Sequence, residues 1–338
     1  MLFVLKSFHR TKTFAKFCIK INMSTATEDI YLQAAKFLVP SLKVNKHKGQ
    51  NGRIGIIGGS VEYTGAPFYA GMSALRTGAD LAYVFCCREA ATAIKSYSPE
   101  LIVQPYLDLE CPFELIEPWL DRLHVVLIGP GLGRDSQILN GPVTSIINYC
   151  KIKSKPLIID ADGLYLVSEN PELLSNCSKV ILTPNVMEFS RLVKKFLNKT
   201  IDLSADIKDD QVKELADKIG PNAIVLLKGK SDIISSNAVS IHCSVSGSGR
   251  RCGGQGDLLS GSLSVLTWWA QQNNASLSKF LGENNLTTLN ADMLACYAAS
   301  RLIRETNAFT FTENHRGMLA SDMLNCLSNN FYKILEVD

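Results

Sequence analysis

Short apolar runs that end in glycine or small polar residues alternate along the chain with stretches whose apolar residues recur at helical spacing. The predicted strands are 53–59, 80–86, 124–133, 155–164, 179–185 and 223–230, with a short antiparallel pair within 233–243. The predicted helices are 66–78, closed by Gly78, and 186–197, 256–270, 290–306 and 316–329. Repeated strand–turn–helix units predict an α/β fold, a three-layer α/β/α sandwich around a mainly parallel sheet.

Small or polar motifs stand at five of the predicted strand ends. They are GGS (58–60), GPGLGR (129–134), DADG (160–163), TPNVMEF (183–189) and KGKSD (228–232). In open sheets of this kind, ligands bind outside the carboxyl ends of the strands. The five motifs therefore predict one shared crevice.

The stretch GSGRRCGGQGDLLSG (247–261) precedes a predicted helix and carries one carboxylate, Asp257. Glycines let several backbone N–H groups approach an anion, and a helix N-terminus adds partial positive charge. An acid would repel a phosphate held there, so Asp257 is better placed to accept a proton from an attacking hydroxyl. The alternative is a surface loop in which Asp257 only caps the helix.

Other motifs are less decisive. KGKS (228–231) lacks the earlier glycine of a P-loop, since Ile224 stands there, and GPGLG is not a dinucleotide-binding GxGxxG. Asp160 follows a buried strand, and we favour a crevice role for it. Asn185 and Glu188 share one helix face, which suits Mg²⁺ held through water or a substrate amide; a helix cap with its capping-box glutamate is the alternative.

Charge divides the chain into two parts. Residues 1–27 contain five basic residues and no acid, which leaves 30 basic and 32 acidic residues in the remainder. This near-neutral body does not indicate nucleic-acid binding. The basic segment is typical of a mitochondrial transit peptide, and a second start at Met23 would give a cytosolic form. We predict a targeting segment over 1–29 and a single domain over 30–338.

The ten cysteines form no CxxC pair, which predicts reduced, mostly structural thiols. No apolar run is long enough for a membrane helix.

The six motifs KGQNGRIGIIGGSVEYTGAP, LIGPGLGR, IIDADGL, TPNVMEF, LKGKSD and GSGRRCGGQGDLLSG, in this order, resemble the ATP-dependent (S)-NAD(P)H-hydrate dehydratases, the carbohydrate kinase domain-containing proteins. The resemblance covers roughly residues 35–330. It implies a ribokinase-like fold and a lyase that uses ATP to phosphorylate the hydroxyl of hydrated NADH or NADPH. Loss of phosphate then restores NAD(P)H, and ADP and phosphate are the other products. A vitamin-precursor kinase of the same fold, or a catalytically inactive nucleotide-binding protein, is the alternative.

The resemblance also assigns residues. It makes Asp257 the base and a substrate contact, and it implies ATP contacts at Lys228, Gly229, Lys230, Ser231, Asp232, Gly247, Ser248, Gly249, Arg250, Arg251, Cys252, Gly253, Gly254, Gln255 and Gly256. The hydrate would meet Gly131, Gly133, Asn185, Val186, Met187, Glu188, Phe189, Ser190 and Arg191. Mg²⁺ would accompany ATP, and the resemblance does not identify the residues that bind it. A separate epimerase would supply the correct hydrate epimer. The sequence leaves a homo-oligomer open.

Overall fold

The apolar runs predicted as strands form one nine-stranded sheet. The computed structural model describes residues 27–42, 47–272 and 275–336. Its strands are β1 (Arg53–Ile57), β2 (Leu81–Phe85), β3 (Ile102–Gln104), β4 (Val125–Ile128), β5 (Leu157–Ile159), β6 (Val180–Leu182), β7 (Ile224–Leu227), β8 (Asp232–Ser235) and β9 (Ser240–Cys243). Their order is β3-β2-β1-β4-β5-β6-β7-β8-β9; β1 to β7 are parallel, whereas β8 and β9 form the predicted antiparallel pair at one edge.

Strand β4 shows why the sheet is covered on both faces. All four of its residues are buried. Val125 and Leu127 belong to one hydrophobic cluster, and Val126 and Ile128 belong to the other. Because successive side chains in a strand point to opposite faces, a run that is apolar at every position requires cover on both sides.

Helices supply that cover and confirm the predicted three-layer sandwich. The face of the first cluster carries α1 (27–36), α2 (Gly65–Thr77), α3 (Arg88–Tyr97), α10 (Gln255–Ala270), α11 (Ala275–Glu283), α12 (Ala291–Asn314) and α13 (Ala320–Leu335). The opposite face carries α4 (Pro112–Leu120), α5 (Ser136–Ile138), α6 (Thr144–Ile152), α7 (Ala161–Glu169), α8 (Val186–Leu197) and α9 (Asp209–Ile219). The predicted closure of α2 by Gly78, which has φ 124°, is confirmed.

The chain changes direction across the sheet next to β1. Strands β2 and β3 lie on one side of β1, and β4 to β9 lie on the other. Ligands of open α/β sheets bind at such a reversal, beyond the carboxyl ends of the strands. The turns that follow β1 and β4 therefore lie where a ligand is expected.

The N-terminal prediction lies mostly outside the described residues, which begin at Thr27. Residues 27–29, grouped above with the targeting segment, already belong to α1. The Glu28 carboxylate accepts the Ser244 N–H at 3.0 Å, and its carbonyl accepts the Tyr297 hydroxyl at 2.9 Å. The start of α1 is thus attached to the folded body, while the division at residue 30 stays a prediction.

Nine cysteines fall within the described residues, and all nine are free thiols. Six of them are buried. Burial, with smaller contributions from neighbouring groups, raises the pKa of Cys86 to about 12 and the pKa of Cys87 to about 11. Across the described ranges no His, Cys, Asp and Glu residues gather into a metal-binding cluster, and no helix there is long and apolar enough to cross a membrane.

Candidate active site

The strand-end motifs meet in the crevice that their spacing predicts. The Gly59 N–H, after β1, donates to the Gly131 carbonyl, after β4, at 3.0 Å. Further along the sheet, the Lys228 ammonium donates to Asp160 Oδ1 at 2.9 Å. Lys228 also pairs with Asn185 as an isolated parallel bridge. The motifs that follow β1, β4, β5, β6 and β7 are thus joined by direct contacts.

The glycine turn after β4 requires its glycines. Gly131 has φ 61°, and a side chain there would begin 2.6 Å from the Tyr63 carbonyl oxygen. The Gly133 N–H donates to Asp162 at 3.0 Å, which ties this turn to the start of α7. Ser60 lies against Gly133, and its buried hydroxyl has no partner within the described residues. The sequence singled out the GGS motif but not Ser60 as a separate group.

Lys228 lies among three carboxyl groups. Burial alone would lower its pKa, but the charges of Asp160, Glu188 and Asp257 keep the pKa of Lys228 above its ordinary value. For Glu188, burial is the larger effect, and it raises the pKa of this carboxyl despite the attraction of Lys228. Lys228 therefore stays charged and links the ends of β5 and β7 to the starts of α8 and α10.

Asp257 stands in the first turn of α10, as the sequence predicts. The helix begins after Gly254, whose φ is 95°, and no side chain of the described residues caps it. Burial first, and the nearby Asp160 second, raise the pKa of Asp257 to about 8, although Lys228 pulls in the opposite direction. Asp257 is therefore not the cap of its helix. It is a partly buried carboxyl whose pKa of about 8 suits proton transfer near neutral pH.

A cavity of about 780 Å³ lies beside Lys228 and the glycine loop. The space around Gly249 and Gly253 is open, since a methyl group added at either residue would lie more than 4 Å from every surrounding atom of the described chain. The predicted site residues that line the cavity are Asn185, Val186, Met187, Lys228, Gly229, Lys230, Asp232, Gly247, Ser248, Gly249, Arg251, Gln255 and Gly256. This volume falls in the usual range for a small-molecule site.

Other predicted ATP contacts point elsewhere. The Ser231 hydroxyl bonds the Ser244 hydroxyl at 2.9 Å, and the Arg250 guanidinium donates to the Met318 carbonyl at 3.3 Å. The Cys252 thiol accepts from the Gln255 amide at 3.2 Å. Gly253 and Gly254 belong to the loop but do not line the cavity.

The predicted hydrate residues divide into three groups. Val186 and Met187 line the cavity, but Phe189 is fully buried in the hydrophobic core, so its side chain supports α8 and meets no ligand in this conformation. Ser190 and Arg191 lie further along α8, outside the cavity lining. Gly131, Gly133, Glu188 and Asp257 likewise lie outside the cavity lining and surround the strand ends beside it.

Asn185 and Glu188 form the capping box that was the alternative to a ligand role. Asn185 Oδ1 accepts the Met187 and Glu188 N–H groups at 2.9 and 3.0 Å, and Glu188 Oε2 accepts the Asn185 N–H at 2.7 Å. Asn185 also lines the cavity. One residue thus starts α8 and borders the candidate site.

Asp232 is held by protein groups rather than left free. Arg304 donates to both carboxylate oxygens, at 2.9 and 3.0 Å, and Ser300 and the Gly229 N–H bond the same carboxylate. The Arg304 guanidinium also donates to the Gly229 and Lys230 carbonyls at 2.7 and 2.9 Å. Asp232 therefore fixes the loop after β7.

The cavity also includes residues that the sequence prediction missed: Ser246, Leu259, Ser300, Ile303, Arg304 and Asn307. Three of them form a polar stripe on α12, since Ser300, Arg304 and Asn307 are four and three residues apart. That spacing along one helix was the available signal. Asn307 reaches the glycine loop, where its Oδ1 accepts the Ser248 N–H at 2.6 Å.

Comparison with known proteins assigns the chain to a protein family. The profile described as NAD(P)H-hydrate dehydratase matches residues 54–325. The chain belongs to the NAD(P)H-hydrate dehydratase family. It is 46% identical over 318 residues to the ATP-dependent (S)-NAD(P)H-hydrate dehydratase of Mus musculus, and the match covers 94% of this chain and 89% of the mouse protein. The family membership inferred from the six motifs is confirmed.

Solved structures show that this NAD(P)H-hydrate dehydratase family member has the ribokinase-like fold. The ADP/ATP-dependent NAD(P)H-hydrate dehydratase of Bacillus subtilis, co-crystallised with ATP/Mg²⁺, matches with a TM-score of 0.61 at 20% identity, over 90% of this chain and 97% of that one. Ribokinase from Thermotoga maritima matches with a TM-score of 0.51 at 13% identity, over 84% and 99% of the two chains. The predicted ribokinase-like sandwich is thereby confirmed.

Proposed function

We propose that this chain dehydrates the S epimer of hydrated NADH and NADPH at the expense of ATP, yielding NAD(P)H, ADP and phosphate. The observation that carries the proposal is Asp257, a partly buried carboxyl with a pKa of about 8 between Lys228 and an open glycine loop. Family membership supplies the substrate class, since the mouse relative is named for this reaction.

Asp257 would act on the hydroxyl of the hydrate. The hydroxyl oxygen attacks the γ-phosphorus of ATP, its proton passes to Asp257, and ADP leaves. The C–O bond then breaks with loss of phosphate, and a proton leaves the neighbouring carbon as the ring double bond forms. Phosphorylation is needed because hydroxide is a poor leaving group.

The loop 247–256 and Lys228 would hold the nucleotide. The first backbone N–H groups of α10 are not capped by any side chain of the described residues. They can donate hydrogen bonds to phosphate oxygens, and the helix dipole also attracts the phosphate charge. Lys228 would add a positive charge beside the transferred group. Lys230 and Arg251, which also line the cavity, would neutralise the remaining phosphate charge.

Mg²⁺ is proposed as the companion of ATP. No ready-made metal cluster exists among the described residues, and Mg²⁺ usually needs only one or two carboxylates besides the substrate phosphates. Asp160 and Glu188, both close enough to Lys228 to affect its pKa, fit that requirement. When bound, the ion would neutralise charge on the phosphates.

The test is recovery of reduced-nicotinamide absorbance from hydrated NADH when the purified protein and MgATP are added, with ADP as a parallel nucleotide. We expect recovery that depends on both protein and ATP. No recovery, combined with ATP-driven phosphorylation of a vitamin precursor, would instead support the kinase alternative for this fold.

We propose further that a separate epimerase supplies the S hydrate, because the reaction consumes one epimer.

We also propose mitochondrial and cytosolic residence, based on the acid-free segment 1–27 and Met23. A fluorescent reporter fused to residues 1–30 should enter mitochondria, whereas the same fusion begun at Met23 should stay cytosolic. Diffuse signal from the longer fusion would contradict mitochondrial targeting.

A further inference from the structure

The proposed reaction brings two polyanions into one crevice. ATP carries a triphosphate, and the hydrated dinucleotide carries a pyrophosphate and, in the NADPH form, a 2′-phosphate. Like charges held close together without compensation repel each other, so each ligand needs its own cations. Lys228, Lys230 and Arg251, which line the cavity, are already assigned to ATP.

A second pair of cations lies outside the cavity, on the ring of Tyr165. The Arg134 guanidinium carbon stands 4.4 Å from the ring centroid, and that of Arg191 stands 5.9 Å from it. Arg134 follows the glycine turn after β4, Tyr165 lies on α7, and Arg191 lies on α8. Three separate elements thus bring two arginines to one aromatic ring.

Besides its contact with the Tyr165 ring, Arg134 has a single hydrogen bond, which leaves most of its donors free. Its Nε lies 3.3 Å from Asp162 Oδ1, and the other oxygen of Asp162 accepts the Gly133 N–H. In the described part of the chain, no acceptor contacts the two terminal nitrogens of Arg134. The Arg134 side chain is 58% exposed, so a ligand can reach those nitrogens.

Nearby acids compensate this charge only in part. Asp162 faces only the Nε side of Arg134. Asp135 turns to the start of α5, where its Oδ1 accepts the Gln137 N–H at 2.8 Å. Glu188 is the acid that faces Arg191, but it is bonded to the Asn185 N–H and attracted to Lys228.

We propose that Arg134 and Arg191, arranged on Tyr165, bind a phosphate group of the hydrated dinucleotide. The inference rests on the proposed function. Arg134 is joined through Asp162 to Gly133, which is predicted to meet the hydrate, and Arg191 lies on the helix whose start borders the cavity. Paired guanidinium groups match phosphate geometry better than lysines do. The pair would place the dinucleotide phosphates beside Tyr165, between the turn after β4 and α8, outside the cavity assigned to ATP.

The test compares Arg134→Ala with Arg122→Ala. Arg122 is also exposed and lies 5.7 Å from an aromatic ring, that of Trp119, but it is remote from the strand-end motifs. We expect Arg134→Ala to raise KM for the hydrate about tenfold, the scale of one charge-assisted hydrogen bond, with KM for ATP and kcat nearly unchanged. Arg134→Lys should recover part of the loss, and Arg122→Ala should behave as wild type.

Comparing KM for NADH hydrate with KM for NADPH hydrate shows whether the arginines bind the pyrophosphate or the 2′-phosphate. An equal rise in KM for NADH hydrate and NADPH hydrate indicates the pyrophosphate, and a rise for NADPH hydrate alone indicates the 2′-phosphate. An unchanged KM for both, or an equal rise in Arg122→Ala, overturns the proposal.

Calorimetric titration with NADPH, without ATP, measures dinucleotide binding independently of turnover, so it tests the phosphate site separately from the proposed reaction. If Arg134→Ala weakens NADPH binding but the wild-type protein does not turn over the hydrate, the phosphate site stands and the proposed reaction fails. If the wild type turns over the hydrate and Arg134→Ala binds NADPH as tightly as wild type, the reaction stands and the phosphate site fails.

Discussion

At the residue scale, Asp257 combines an expected role with a property that composition does not reveal. Its position after a glycine loop predicted a base. The pKa of about 8 depends on burial and on Asp160, which is distant in sequence. Residue type and spacing therefore predict the role, whereas the strength of the base depends on contacts that form only in the folded chain.

Replacing Asp257 with asparagine should lower activity and raise stability together. We expect kcat to fall by about 10²–10⁴, the usual contribution of a general acid or base. Because asparagine needs no proton in this partly buried position, the free energy of unfolding at pH 7.5 should rise by at most about 5 kcal/mol, since pH 7.5 lies nearly four units above the ordinary pKa of 3.8 and each unit is worth roughly 1.4 kcal/mol. Turnover and urea unfolding check both effects.

The matched control is Asp217→Asn, because Asp217 is exposed on α9 and should tolerate the change in both assays. The pH dependence has a definite sign. Since the native pKa of Asp257 lies above its unfolded value, this residue contributes stability at low pH that is lost as pH rises from about 4 to about 8. Asp257→Asn should remove that part of the slope; an unchanged slope would contradict the raised pKa.

At the element scale, α10 holds Asp257 in place through its contact with α2. A methyl group on Gly261 would stand 2.1 Å from both the Ala70 carbonyl oxygen and the Ser73 hydroxyl. One turn away, the Thr77 hydroxyl donates to the Ser262 hydroxyl at 2.9 Å. The two helices therefore approach closely through small residues, and the position of the α10 N-terminus depends on that approach.

Gly261→Ala should push α10 away from α2. We expect a loss of about 1–3 kcal/mol in unfolding free energy, the usual cost of overpacking, and a lower kcat as Asp257 moves. Gly282→Ala is the control, because a methyl group on this helical glycine of α11 would meet no surrounding atom of the described chain within 4 Å, and the variant should gain about 0.5–1 kcal/mol. Normal activity in a folded Gly261→Ala protein would show that the contact between α2 and α10 does not position Asp257.

The sequence prediction missed one strand and several helices, and weak periodicity does not explain every case. The buried residues of α9, Val212, Leu215, Ala216 and Ile219, recur at helical spacing. Strand β3 has only three residues at the edge of the sheet. Helix α12 continues to Asn314, beyond the predicted 306, and α13 begins at Ala320 because 315–317 forms a short 3₁₀ turn. By contrast, the bounds of α8 were predicted correctly, since Asn185 and Glu188 mark its start directly in the sequence.

At the scale of the whole molecule, the Asp232–Arg304 pair joins strand β8, next to the edge of the sheet, to the longest helix of the described chain. The two side chains are 9% and 12% exposed, so the pair is nearly dry. Their contact spans 72 residues of sequence. No local pattern predicts such a partner, and the sequence prediction missed Arg304 together with Ser300 and Asn307 of the same helix.

Arg304→Met should destabilise the whole fold. Removing one partner of a buried ion pair leaves an uncompensated charge, which costs about 3–5 kcal/mol. Lys279→Met is the control, because its pair with Glu283 is exposed and worth at most about 0.5 kcal/mol. Urea unfolding measures both, and adding Asp232→Asn to Arg304→Met should restore part of the loss; equal stability of the two single variants would contradict the role of the pair.

The buried thiols have a consequence for the lifetime of the protein. Oxidants attack the thiolate, and a pKa near 12 lowers the thiolate fraction of Cys86 roughly a thousandfold below that of an ordinary cysteine. Peroxide would therefore react slowly with Cys86, Cys150 and Cys243, whose pKa values burial raises to about 12. These buried thiols thus resist oxidation, although none of the described cysteines forms a disulfide.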